Sequence, residues 1–164
     1  MAGLFRGCGY RVVTMGDVIR GIAVEKGLEP SHENLGAIAR EIRKEGGEMA
    51  VAARCVEELR KMAEHRLVVD GIRSMAEVEA FGESFDVVLV AVHASPETRY
   101  RRLRGRARSD DPSDWEAFRI RDLRELGFGL GWAIALSDHM VVNEGTLKDF
   151  ERAFGLLFER LGGK

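Results

Sequence analysis

The sequence predicts an α/β fold: a parallel sheet with helices on both faces. Three observations carry that prediction. Four short valine-rich runs recur along 164 residues, and helical patterns separate them. The run at 87–92, VVLVAV, is apolar without alternation, as in a strand buried on both faces. Strand followed by helix followed by strand calls for right-handed crossovers and a three-layer arrangement. With 45% apolar and 32% charged residues, the chain is expected to form one soluble domain, 1–164, whose core needs neither disulfide nor metal.

The elements come in order. GLFRGCGY (3–10) crowds three glycines near the start, where many α/β proteins keep a phosphate loop. It lacks the lysine, the hydroxyl residue and the preceding strand of such a loop, so it reads as the tail of a helix, stopped and turned by Gly7 and Gly9. The first strand is expected at 10–15 (YRVVTM) and a helix at 17–26, with Asp17 able to cap it. Ser31, behind Pro30, caps a helix through 44, and 48–65 is amphipathic, with Val51, Cys55, Val56, Leu59 and Met62 on one face. Strands at 67–69 and 87–92 bracket a helix at 75–81. Helices at 96–106 and 115–126 flank a polar, protruding stretch at 107–114, and a last strand at 139–142 leads into a helix at 147–161.

Bulk properties exclude several classes. A net charge of −2 advertises neither nucleic acid nor an anionic membrane, and no 18-residue apolar run exists. Cys8 and Cys55 have no partner at metal or redox spacing, and His32, His65, His93 and His139 show no ligand pattern, so no metal site is expected. Cytoplasmic localisation is the default reading. Trp115 and Trp132 are expected to be packing anchors.

In an open parallel sheet, ligands bind beyond the carboxyl ends of the strands. After the first strand stand Gly16, Asp17 and Arg20; after the second, Asp70, Gly71 and Arg73. Acid, glycine and arginine at a strand end suit a phosphate, although each motif alone also makes an ordinary turn or helix start. The run SPETRYRRLRGRARSDDP holds arginines at 99, 101, 102, 104, 106 and 108, which wrap around a helix and cannot all meet one ligand. Arg104 and Arg108 lie toward the polar loop, from which they could close on a polyphosphate, with Arg119, Arg121 and Asp122 opposite. Asn143, Glu144 and Gly145 come after the last strand. They form either a turn before the Thr146 cap or the edge of a purine site.

The order Gly-Asp-x-x-Arg (16–20), Asp-Gly-x-Arg (70–73), arginine-rich helix with Ser-Asp-Asp-Pro (109–112) and Asn-Glu-Gly (143–145) resembles the P-loop nucleotide kinases, such as adenylate kinase and dephospho-CoA kinase. Most closely it resembles an archaeal family of adenylate-kinase-related proteins, through TMGDVIR, LEPSHENLG, DGIRSMAEVEAF, VAVHASPETR, RSDDP, RDLRELGFG and VVNEG, over nearly the whole chain. The resemblance implies a P-loop-kinase-like sheet and phosphoryl transfer from ATP with Mg²⁺ to a small phosphorylated acceptor. Asp17, Arg20, Asp70 and Arg73 would hold the acceptor, and helices between 30 and 65 would cover it. Residues 107–114 would be the lid, Arg104, Arg108 and Arg121 the transfer-stabilising cations, and Asn143 and Gly145 the nucleotide edge.

One departure is plain. The family's nucleotide loop, G-x-x-x-x-G-K-[ST], is absent; lysines occur only at 26, 44, 61, 148 and 164. Matching GYRVVTMGDVIR to the family's second strand leaves no residues for the first, central strand, so a slot between two halves of the sheet is expected. The reading is therefore a nucleotide-kinase-like protein, truncated or inactive toward ATP as written. The alternative is a non-catalytic nucleotide- or phosphate-binding regulatory module. The partner is a small nucleotide or phosphorylated molecule; a homo-oligomer is compatible. A membrane is excluded, and the lack of aromatics interleaved with the arginines argues against nucleic acid.

Overall fold

The computed structural model describes residues 1–106 and 111–163. In chain order the elements are α1 (Ala2–Gly7), β1 (Arg11–Thr14), α2 (Met15–Glu25), α3 (His32–Gly46), α4 (Ala50–Arg60), β2 (Leu67–Asp70), α5 (Met75–Gly82), β3 (Val90–His93), α6 (Pro96–Arg106), α7 (Trp115–Gly127), α8 (Leu130–Ala135), β4 (His139–Val142) and α9 (Leu147–Arg160). The fold is mixed α/β, with parallel strands flanked by helices.

β1 pairs with β2 from Arg11↔Leu67 to Thr14↔Asp70, and β3 pairs with β4 from Val90↔His139 to His93↔Val142; both pairs are parallel. Among the described residues no ladder joins β2 to β3, so there are two two-stranded sheets where a single sheet would need a strand between them. The expected slot is present. Two four-residue strands are too little to hold a sheet together alone, so packing against helices must do it.

That packing falls into two clusters. Around β1 and β2, the buried faces of α2, α3, α4 and α5 contribute Ile19, Ile22, Ile38, Ile42, Val51, Cys55, Leu59 and Phe81. Behind β3 and β4, Val141 packs on Phe150 and Leu157 of α9, with Met1 and Leu4 of the N-terminal segment against them. Phe5 of α1 sits edge-on to Tyr10 at 5.1 Å and to Phe154 at 4.9 Å, so the short first helix ties the first strand to the last helix. The Tyr10 N–H closes onto the Phe5 carbonyl at 3.1 Å, and Gly9 takes φ +83° to allow it. These glycines end a helix, as expected.

Helix starts obey capping chemistry. Ser31, Ser74, Asp114 and Thr146 each accept a backbone N–H three residues on. At α2 the cap is Thr14, whose Oγ1 accepts the Asp17 N–H at 3.1 Å, and the helix begins at Met15, two residues before the sequence suggests. The third strand is also shorter than VVLVAV: the Leu89 N–H goes to the Asp138 carboxylate at 2.8 Å, and Val88 is exposed, so ladder pairing begins at Val90. Trp115 packs against Tyr100 and Phe118, but Trp132 is 70% exposed and is no buried anchor.

Candidate functional site

The parallel register brings the ends of β1 and β2 together, so the residues beyond the two strands share one rim. Thr14 and Asp70 are paired, and Asp17, Arg20 and Arg73 lie within a turn or two beyond them. Gly71 takes φ +97°, with Met15 Cβ 3.7 Å from where its own Cβ would stand, so the strand can turn sharply there only without a side chain. Asp17 and Arg20 pair with each other at 2.8 Å, both well exposed. The Thr14 hydroxyl, and after it the Arg20 guanidinium, holds the Asp17 carboxyl below its ordinary value.

Arg73 is built into a buried network. Its N–H donates to Glu77 Oε2 at 2.8 Å, and Glu77, with no accessible surface, also accepts from Arg43 of α3 at 2.7 Å. Arg43 in turn lies over the Phe128 ring at 4.7 Å. The Arg73 side chain reaches Glu125 of α7 at 2.6 Å.

Glu125 also lines the second feature, a cavity of about 380 Å³ beyond the ends of β3 and β4, with Arg102, Arg106, Arg121, Asp122 and Asn143 among its walls. Its cations are matched internally. Arg99 grips Asp122 with both guanidinium nitrogens, Arg106 grips Asp111, and Arg121 stands 3.9 Å from the same nearly buried Asp111. Arg102 donates to the carbonyls of Asn143 at 2.6 Å and Gly145 at 2.9 Å. The Glu144 carboxylate accepts from the Ser95 N–H and from the Thr98 hydroxyl at 2.6 Å, and the Thr98 bond first, then the Ser95 amide, holds its carboxyl below the ordinary value. Asn-Glu-Gly is thus pinned to the start of α6. A Cβ on Gly145 would stand 2.8 Å from Asp149 Oδ2, the carboxylate that closes the reciprocal cap with Thr146.

Of the residues singled out in the sequence, Asp17, Arg20, Asp70 and Arg73 share the first rim. Arg121 and Asn143 line the cavity, and the carbonyl of Gly145 abuts it through Arg102. Arg104 lies over the Tyr100 ring at 5.9 Å and is not among the cavity-lining residues. Arg108 and positions 107–110 of the lid-like stretch lie outside the described residues. Arg43, Glu77 and Glu125 were not legible as site residues; their partners are far away in sequence, and each reads alone as a solvated helix charge. Among the described residues, no three His, Cys, Asp or Glu side chains gather to hold a metal, and no helix is long and apolar enough to cross a membrane.

Chemically, the arrangement is a set of guanidiniums held by carboxylates at strand ends. Guanidiniums so held present paired N–H donors whose geometry matches the oxygens of carboxylates and phosphates.

Residues 1–119 match the family model described as an AAA domain. A UPF0200 protein of Hyperthermus butylicus is 46% identical over 164 residues, covering all of this chain and 88% of that relative. A UPF0200 protein of Thermococcus gammatolerans is 39% identical over 158 residues, 93% of this chain and 83% of the relative. A UPF0200/UPF0201 protein of Archaeoglobus fulgidus is 44% identical over 149 residues, 88% of this chain and 46% of the relative. With its parallel strands, its AAA-domain match and these relatives, the chain belongs to the UPF0200 family of archaeal, P-loop-kinase-related proteins.

Proposed function

We propose that this chain holds the acceptor side of a nucleotide-kinase-like phosphoryl transfer, binding a small phosphorylated molecule at the rim beyond β1 and β2. The observation that carries the reading is the convergence of Asp17, Arg20, Asp70 and Arg73 on one rim, with Arg73 anchored by the buried Glu77 and facing Glu125. A phosphate entering there would take the place of Glu125 on the Arg73 guanidinium. Arg20 would release Asp17 in the same way. Catalysis in this class is positioning plus charge neutralisation, so guanidiniums on a rigid rim are the parts this half must supply.

The donor side is different. ATP and Mg²⁺ are what the family reading asks for, and the residues present do not fit them. No G-x-x-x-x-G-K-[ST] loop occurs, and among the described residues no carboxylate cluster suits a metal. No step through the donor can be derived from these side chains. In this reading a further strand between β2 and β3, with a phosphate loop at its end, would supply the donor cradle. The second reading is a phosphate- or nucleotide-binding regulatory module without transfer.

Calorimetry with AMP and other phosphomonoesters tests the acceptor site directly. Binding is expected, and Arg73→Ala should weaken it about tenfold or more, the size of a lost charge-assisted pair. Binding unaffected by Arg73→Ala would refute the site. A version carrying an N-terminal strand and phosphate loop, screened with ATP·Mg²⁺ against its loop-lysine→Ala variant, separates the two readings. Turnover that depends on the lysine supports the kinase; acceptor binding without turnover supports the regulatory module.

A further inference from the structure

One edge of β4 is already in use, paired with β3. The His139 N–H donates to the Leu89 carbonyl at 3.2 Å and the Asn143 N–H to the His93 carbonyl at 2.7 Å. Backbone groups alternate in direction along a strand, so the N–H and C=O groups of Met140 and Val142 point away from β3. Among the described residues no strand pairs with that side. The side chains at the same two positions are open as well, Met140 by 50% and Val142 by 60%, whereas Val141 between them is buried on α9. The strand HMVV is short, four residues, but carries no lysine and no proline to discourage pairing.

We propose that this edge pairs antiparallel with the same edge of a second copy of the chain, about a two-fold axis at Val141. The sequence is self-complementary in that register. With Val141 opposite its counterpart, Met140 stands opposite Val142, and the outward N–H and C=O of each meet those of the other in reciprocal hydrogen-bonded pairs. On the same face the two apolar side chains cover one another. On the other face, His139 of one copy comes opposite Asn143 of the second, so each copy sets an imidazole beside a residue of the other's cavity wall. A slip of one residue would set outward groups against inward ones and lose the ladder. The result is a continuous β3–β4 sheet across both copies, the two-fold isologous arrangement commonest in homodimers.

The pair covers on the order of 200 Å² of apolar side chain per copy, well below the roughly 800 Å² per partner of a standard interface. So small a contact makes a weak, reversible dimer, with a midpoint in the micromolar range or above.

Sedimentation velocity of the full chain over about 1–500 µM tests this, the range being set by the expected midpoint. A concentration-dependent shift from monomer to dimer is expected. The double substitution Met140→Lys with Val142→Lys should weaken dimerisation at least tenfold while the circular dichroism spectrum is kept. Register is read separately. In a Cys8→Ser background, Val141→Cys should give a disulfide-linked dimer on mild oxidation, and Val92→Cys on the neighbouring strand should not. A chain still monomeric at the highest concentration would overturn the proposal. So would a dimer that survives the lysine pair, which would move the contact to the inner edges of β2 and β3, and so would equal cross-linking at positions 141 and 92.

Discussion

Glu77 is the residue on which the first rim rests. A carboxylate with no accessible surface is costly to bury, and here it is compensated by the Arg43 guanidinium at 2.7 Å and the Arg73 amide at 2.8 Å. Glu77→Ala strands the mostly buried Arg43 without its counter-charge and is expected to cost about 3–5 kcal/mol in urea unfolding. Glu77→Gln keeps a carbonyl for the Arg73 amide and should cost less. If both variants stay within about 0.5 kcal/mol of the parent, the range of a surface change, the network is not structural. The sequence pointed to Arg73 because acid, glycine and arginine sit together at a strand end. It could not point to Glu77, which reads as an ordinary first-turn acid behind the Ser74 cap and whose partner Arg43 lies 34 positions earlier. Spacing of that length carries no periodic signal, and the same is true of Arg73 with Glu125 and of Arg99 with Asp122.

At the scale of elements, the loop after β4 was legible as a cap and opaque as a clasp. Thr146 and Asp149 form the reciprocal cap of α9, which a Thr-x-x-Asp pattern announces. That Glu144 reaches back to Ser95 and Thr98 at the start of α6 depends on β3 and β4 being neighbours, a tertiary fact. The clasp has a pH signature. The folded carboxyl sits below its ordinary 4.5, held there first by the Thr98 hydroxyl, while the unfolded one titrates near 4.5. Its contribution is therefore fully present above pH 4.5 and is lost as pH falls through the lowered folded value. Thr98→Val is expected to flatten this part of the acid limb, measured as urea stability between about pH 3 and 6. An unchanged limb would assign acid sensitivity to Asp17, Asp114 and Asp149, whose carboxyls are also held low. Element boundaries were legible where valines meet caps, as at 139–142. They were missed where a side chain intervened: Asp138 delays β3, and the six-residue α8 after Gly129 leaves too short a pattern to detect.

The whole molecule is organised as two strand pairs with two apolar clusters, and cooperativity should reflect that. Amides of β1 and β2, set in the larger cluster, are expected to exchange with deuterium by rarer openings than those of β3 and β4, backed by Val141, Phe150 and Leu157. A single opening free energy for all four strands would mean that α1, through Phe5, couples the halves completely. The division of the strands into two pairs could be foreseen because topology derives from the order of motifs. The dense internal pairing around α6 could not. Three of its guanidiniums, Arg99, Arg102 and Arg106, are spent on Asp122, two carbonyls and Asp111, leaving Arg101 and Arg104 facing outward. To a polyanion, the most basic segment of the chain is therefore a poor ion exchanger. Few counterions are available to release from α6, so its own contribution to any duplex affinity should fall with salt on a log–log slope no steeper than about −2.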